Sequence, residues 1–244
     1  MLLAAPRPCL PRFISKLALN MPVDDSSRNA YSHSEERRGH WDAVYGVSDS
    51  QSRSWYQGEC VESLAMMDAL ETSKNSAVID VGGGESRLVD QLLARGFSDV
   101  TVLDISDVAL KVCIERVGSH AGVTWMSRDV LTWQPERHYD VWHDRAVFHF
   151  LAPREANLYR DLLLRSLAPG GAVILGTFAL DGPEFCSDLA VFRYDCEELA
   201  AFLGNEFDVI ECRRELHTTP GGSIQPFTWI AARHREQQSS RENH

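Results

Sequence analysis

Between residues 77 and 178 short apolar runs alternate with stretches of helical periodicity, and a chain patterned this way is confined to few architectures. Strands buried on both faces read as continuous apolar runs, and each parallel neighbour needs a crossover long enough to hold a helix. The runs at 77–81 (AVIDV), 100–105 (VTVLDI), 123–127 (VTWMS), 139–143 (YDVWH) and 171–178 (GAVILGTF) fit that description. Between the first two, residues 85–95 carry Leu88, Val89, Leu92 and Leu93 on one face and stop at Gly96. A second helix is expected to open at Ser106 or Asp107 and to close around Gly118. A third starts near Pro153, turns Leu158, Leu162, Leu163 and Leu167 inward, and ends at the PGG of 169–171. Asp195 and Glu198 have the spacing of a capping pair for a helix through Leu203. Residues 207–213 and 227–233, joined by HTTPGG, pattern as a closing antiparallel hairpin. The expected fold is therefore α/β: a doubly wound, mainly parallel sheet of seven strands, antiparallel at the seventh, with helices on both faces.

A chain of 244 residues suits one domain with a sizeable core, and its boundaries are readable in composition. Residues 1–39 are first basic, with Arg7, Arg12 and Lys16 before any acid, and then polar; they are expected to be a disordered or targeting tail outside the fold. Met21 as an alternative start is equally compatible with that segment. The domain proper spans 40–233, with an aromatic and helical cap at 40–76, and residues 234–244 form a polar tail. The cap holds Trp41, Tyr45, Trp55 and Tyr56 ahead of an amphipathic stretch carrying Val61, Leu64, Ala65, Met67 and Leu70, which reads either as packing or as one side of a pocket. A net charge of −11 argues against a nucleic-acid surface, and no apolar run reaches the roughly 20 residues of a membrane span. Six cysteines without a C-x-x-C pair are expected as reduced thiols of a cytoplasmic protein, or of the mitochondrial matrix if the basic leader is a transit peptide. Oligomeric state is left open by the sequence.

The turn VIDVGGGES sets three glycines between a strand and a helix, where bare backbone and a helix N-terminus can approach a ligand. A dinucleotide fingerprint would ask for a third glycine where Arg87 stands, which disfavours a nicotinamide-dependent oxidoreductase. Asp80, Gly82, Gly84 and Ser86 make acid-x-Gly-x-Gly-x-small instead. With Asp104 ending the second strand and SRDVLTW following the third, the chain resembles the class I S-adenosylmethionine-dependent methyltransferases over roughly Trp41 to Arg233. The resemblance implies a Rossmann-like sheet and S-adenosyl-L-methionine as cofactor. It implies that Asp80, Gly82, Gly83 and Gly84 wrap the methionine part, that Asp104 and the adjoining Ile105 hold the ribose, and that Asp129 and the Val130 amide meet the adenine. Main-chain groups after the fourth strand, at Trp142 or His143, would hold the cofactor's amino group, and Trp55 would close the cleft as an aromatic lid.

The stretch VWHDRAVFHF, at the exit of the fourth strand, supplies the candidates for chemistry: His143, Asp144 and His149. Histidine has the unperturbed pKa for proton transfer near neutrality. The two histidines lack the spacing of a helical zinc pair and no third ligand clusters with them, so no metal is expected; Arg145 reads as a partner of Asp144. The corresponding place has WHDR rather than an N-P-P-Y-type motif, which lowers the odds of an amino-nitrogen nucleic-acid acceptor. The loop 179–195 is long enough to cover an acceptor, and Cys186 within it is incidental to methyl transfer. The expected partner is a small-molecule acceptor such as a thiol or amine, with protein lysine as the alternative, and no nucleic acid or membrane. A non-catalytic interaction module on the same fold is the remaining alternative, opposed by the intact glycine turn and strand-end acids.

Overall fold

A computed structural model of the protein describes residues 34–47 and 49–236, so the basic leader expected at the N-terminus lies outside the described residues. Seven strands form one sheet, built from β1 (Val78–Val81), β2 (Val100–Asp104), β3 (Val123–Ser127), β4 (Tyr139–Arg145), β5 (Leu167–Phe178), β8 (Phe207–Thr218) and β9 (Ile224–His234). Their order is β3-β2-β1-β4-β5-β9-β8, and β9 inserts antiparallel between β5 and β8. The strand order reverses between β1 and β4, where in open α/β sheets the ligand crevice opens beyond the carboxyl ends. The two short strands β6 (Phe185–Cys186) and β7 (Leu189–Ala190) pair with each other inside the long loop that follows β5.

Alternation along the central strands divides the core in two. Ile79, Val81, Trp142, Val173 and Leu175 face α5 (Pro153–Ser166) and α6 (Cys196–Leu203). Val78, Val100, Val102, Val141 and Ile174 face α2 (Val61–Ala69), α3 (Leu88–Ala94) and α4 (Asp107–Val117). The caps expected from sequence form as physics requires. The Ser106 side chain accepts from the Ala109 amide at the start of α4, and Asp195 and Glu198 bond reciprocally at the start of α6.

Several features depart from the sequence expectation, among them Leu158 of α5, expected inward but exposed, and β5, which already begins at Leu167. A helix α1 occupies Ser34–Gly46, inside part of the stretch expected to be tail. It buries none of its residues, so it offers no apolar stripe for a periodicity argument. β4 runs on through Arg145, and the chain then leaves the sheet at Ala146 with a left-handed φ of 71°. Finally, Cys196 and Cys212 are joined in a disulfide between α6 and β8, where reduced thiols were expected; Cys60, Cys113 and Cys186 are free.

Candidate active site

A cleft opens at the carboxyl edge of β1, β2 and β4, lined by the glycine turn, the strand-end acids and the aromatic cap, with about 1390 Å³ of open space including its mouth. The turn after β1 is shaped for close approach. Gly82 has a φ of 67°, and a Cβ there would lie 2.0 Å from Val147 Cγ2. Gly83 and Ser86 also line the cleft. Gly84 does not; it sits under Tyr45, whose hydroxyl would meet a Cβ at 2.7 Å.

Asp104, Ile105, Asp129 and Val130 all line the cleft. Burial pushes the Asp104 carboxyl up from 3.8 to about 7, against the lowering pull of amide donors from Ser106, Gly84 and Ile105. Asp129 is 4% exposed and already engaged: Oδ1 accepts from the Leu131 amide, and Oδ2 accepts from Arg37 Nε at 3.0 Å and Nη2 at 2.6 Å. Arg37 was assigned to the tail on sequence alone, because a polar helix docked by charge leaves no pattern. Arg38 beside it donates to the Ile105 carbonyl and to Ser127 Oγ, and Asp42 accepts from Ser106 Oγ at 2.6 Å.

On the floor, His143 Nδ1 stands 2.7 Å from Asp80 Oδ1 and its Nε2 stands 2.9 Å from Ser63 Oγ. Register places Asp80 opposite His143 on neighbouring strands, both aimed at the same face. In the tautomer in which Nδ1 donates to Asp80, Nε2 accepts from Ser63 Oγ. Ser63, on α2, had no signal in the sequence beyond its helix.

Asp144 and His149 are a correction. Neither lines the cleft. Asp144 follows His143 by one residue on a strand, so it points to the opposite face, where its carboxylate accepts from Tyr159 Oη at 2.5 Å and from the Val147 and Phe148 amides. Burial pushes its carboxyl up to about 6. The expected Asp144–Arg145 pair is replaced by this cap on the turn after β4. His149 is fully buried, between Phe150 and Phe178, with Nδ1 accepting from the Phe178 amide at 3.4 Å. Burial, helped by the Arg145 charge, lowers its pKa to about 3, so the ring is neutral.

The other end of the cleft is aromatic. Trp55, Tyr56, Phe150, Phe178 and Phe227 line it, with Cys186 reaching in from the β6–β7 hairpin. Trp41 packs edge-on against both Trp55 and Phe150, so the cap is packing and pocket wall at once. The rings from 150, 178 and 227 come together only through the sheet order.

This fold matches the Rossmann-like α/β sheet of the methyltransferases, with a glycine turn and two strand-end acids lining one cleft. Residues 78–171 match the family model described as a methyltransferase domain, the segment from β1 to the start of β5. Malonyl-[acyl-carrier protein] O-methyltransferase 2 of Ilyobacter polytropus is 26% identical over 43% of this chain and 40% of its own length. Thiocyanate methyltransferase 1 of Arabidopsis thaliana is 24% identical over 77% of this chain and 82% of its own length. Among solved structures, the N-methyltransferase NodS of Bradyrhizobium japonicum, in complex with S-adenosyl-L-homocysteine, superposes with a TM-score of 0.62 at 16% identity, covering 80% of this chain and 98% of NodS. That likeness carries the fold alone.

Proposed function

We propose that the protein transfers a methyl group from S-adenosyl-L-methionine to a small-molecule acceptor. The carrying observation is a single cleft lined together by Asp104 and Asp129, by the glycine turn and by the aromatic side chains of Trp55, Phe150, Phe178 and Phe227. A carboxylate at the end of β2 suits a ribose diol, and an aromatic face suits a sulfonium. Methyl transfer is an in-line displacement, so the protein's work is alignment and exclusion of water, and the enclosed chamber supplies both. Asp80 and His143 fit the methionine end, where Asp80 Oδ2 is buried without a partner and suits an ammonium donor. His143 is the residue proposed to hold or move a proton at its Nε2. Asp144 and His149 are proposed as positioning residues for the turn after β4. The NodS complex, and relatives named for malonyl-acyl-carrier-protein and thiocyanate methylation, support the cofactor and the acceptor class.

The test is calorimetry with S-adenosylmethionine, S-adenosylhomocysteine and NAD, followed by labelled-methyl transfer into a cell lysate split into small-molecule and protein fractions. Affinity for the first two ligands but not NAD, and label in the small-molecule fraction, are expected. No affinity for either sulfur ligand overturns the enzyme reading, and label confined to protein overturns the acceptor class in favour of protein lysine.

A further inference from the structure

Arg145 is a charged residue lining the cleft that the cofactor reading leaves unused. It ends β4, beside His143. Its Nη1 donates to the Trp55 carbonyl at 3.0 Å, and its guanidinium carbon stands 4.8 Å over the Phe227 ring. Nε and Nη2 are shut off from solvent and have no hydrogen-bond partner. These two are the adjacent donors of the guanidinium's side fork, the pair that meets a carboxylate with two parallel bonds.

The charge is as poorly matched as the donors. Neither acid that acts on it is hydrogen-bonded to it: Glu215 accepts from Gln57 and from Trp229 Nε1, and Asp80 Oδ1 stands against His143 Nδ1. Cys60 and Cys186 also face it, and burial pushes both thiols up, so they are neutral. His149 is neutral for the reason given above, and burial lowers His217. Desolvation disfavours even the Arg145 cation. A cation with two donors shut off from water is destabilised unless something pairs with it, and among the described residues no acid hydrogen-bonds to Arg145.

We infer that the acceptor is a small organic anion whose carboxylate, or a comparable oxyanion, seats on the Nε–Nη2 fork of Arg145 while its apolar body lies against Phe150, Phe178 and Phe227. The inference rests on the methyltransferase reading and sharpens its acceptor class. Arg145 then serves as a binding handle that fixes the acceptor relative to the methyl group, and it rejects neutral isosteres because they leave the fork unpaired.

The experiment uses the full chain saturated with S-adenosylhomocysteine and titrates it with benzoate, phenylacetate and hexanoate, each against its own amide. The acids are expected to bind at least about tenfold more tightly than the amides. Arg145→Gln should erase that preference and Arg145→Lys should keep part of it. No binding of any acid, equal binding of acid and amide by the unaltered protein, or a preference that survives Arg145→Gln overturns the proposal. The acid-to-amide comparison in the unaltered protein stands even if a variant misfolds. Loss of S-adenosylhomocysteine binding itself would instead overturn the methyltransferase reading.

Discussion

At the scale of single residues, Asp104 ties the cleft to pH. Burial pushes its carboxyl up to about 7, and the ribose hydroxyls proposed to meet it would donate best to the ionised form. The direction follows from linkage. The folded chain holds this proton more tightly than an unfolded chain, whose carboxyl titrates at 3.8, so the stability this group contributes is fully present below that value and is lost as pH rises through about 7. A ligand that donates to the carboxylate offsets the loss. Affinity for S-adenosylhomocysteine is therefore expected to fall as pH drops from 8 to 6, approaching about tenfold per unit below the titration point. Asp104→Asn should bind weakly with a flat profile. A flat profile in the unaltered protein would remove the carboxylate from the ribose site.

At the scale of elements, α1 is the segment to which function is most exposed. None of its side chains is fully buried; Trp41 and Tyr45 pack against Trp55, and the remaining anchors are polar: Arg37 to Asp129 and to Glu155, Arg38 to the Ile105 carbonyl and Ser127, and Asp42 to Ser106. Those partners include Asp129 and Ile105, which are proposed to meet the adenine and the ribose. An element docked largely by charge across the cofactor wall is set to open and close more readily than one docked by an apolar stripe, and to respond to salt. Arg37→Ala leaves the Asp129 carboxylate with the Leu131 amide and without its cation. The expected result is faster amide exchange across 34–46 and S-adenosylhomocysteine affinity weaker by about tenfold, with the midpoint of global unfolding changed little. Unchanged exchange and affinity would show α1 to be a passive cover.

At the scale of the whole molecule, what the sequence disclosed was what periodicity and local chemistry carry. The apolar runs gave the strands, Ser106 and the Asp195–Glu198 pair gave helix starts, and Asp80, Gly82, Gly83, Asp104 and Asp129 lie together because strand ends in this topology share one edge. What stayed hidden needed the third dimension. His143 and Asp144 are neighbours in sequence but face opposite sides of the sheet, and Arg37, Ser63, Phe178 and Phe227 reach the cleft from segments with no common pattern. The Cys196–Cys212 bond belongs to the same category, since spacing alone cannot pair cysteines. It fastens the start of α6 to β8, an edge strand whose one neighbour in the sheet is β9. With its ends 16 positions apart in the sequence, the crosslink is expected to stabilise the chain by about 3 kcal/mol through the unfolded state. Reduction should then lower the thermal midpoint by roughly 5–10 °C, and Cys196→Ser with Cys212→Ser should match the reduced protein and ignore reductant. Because the bond lies outside the cleft, affinity for S-adenosylhomocysteine should hold at temperatures where both forms are folded. Thiol titration of the denatured, unreduced protein should find two fewer than its six cysteines; finding all six would mean that α6 and β8 are held by packing alone.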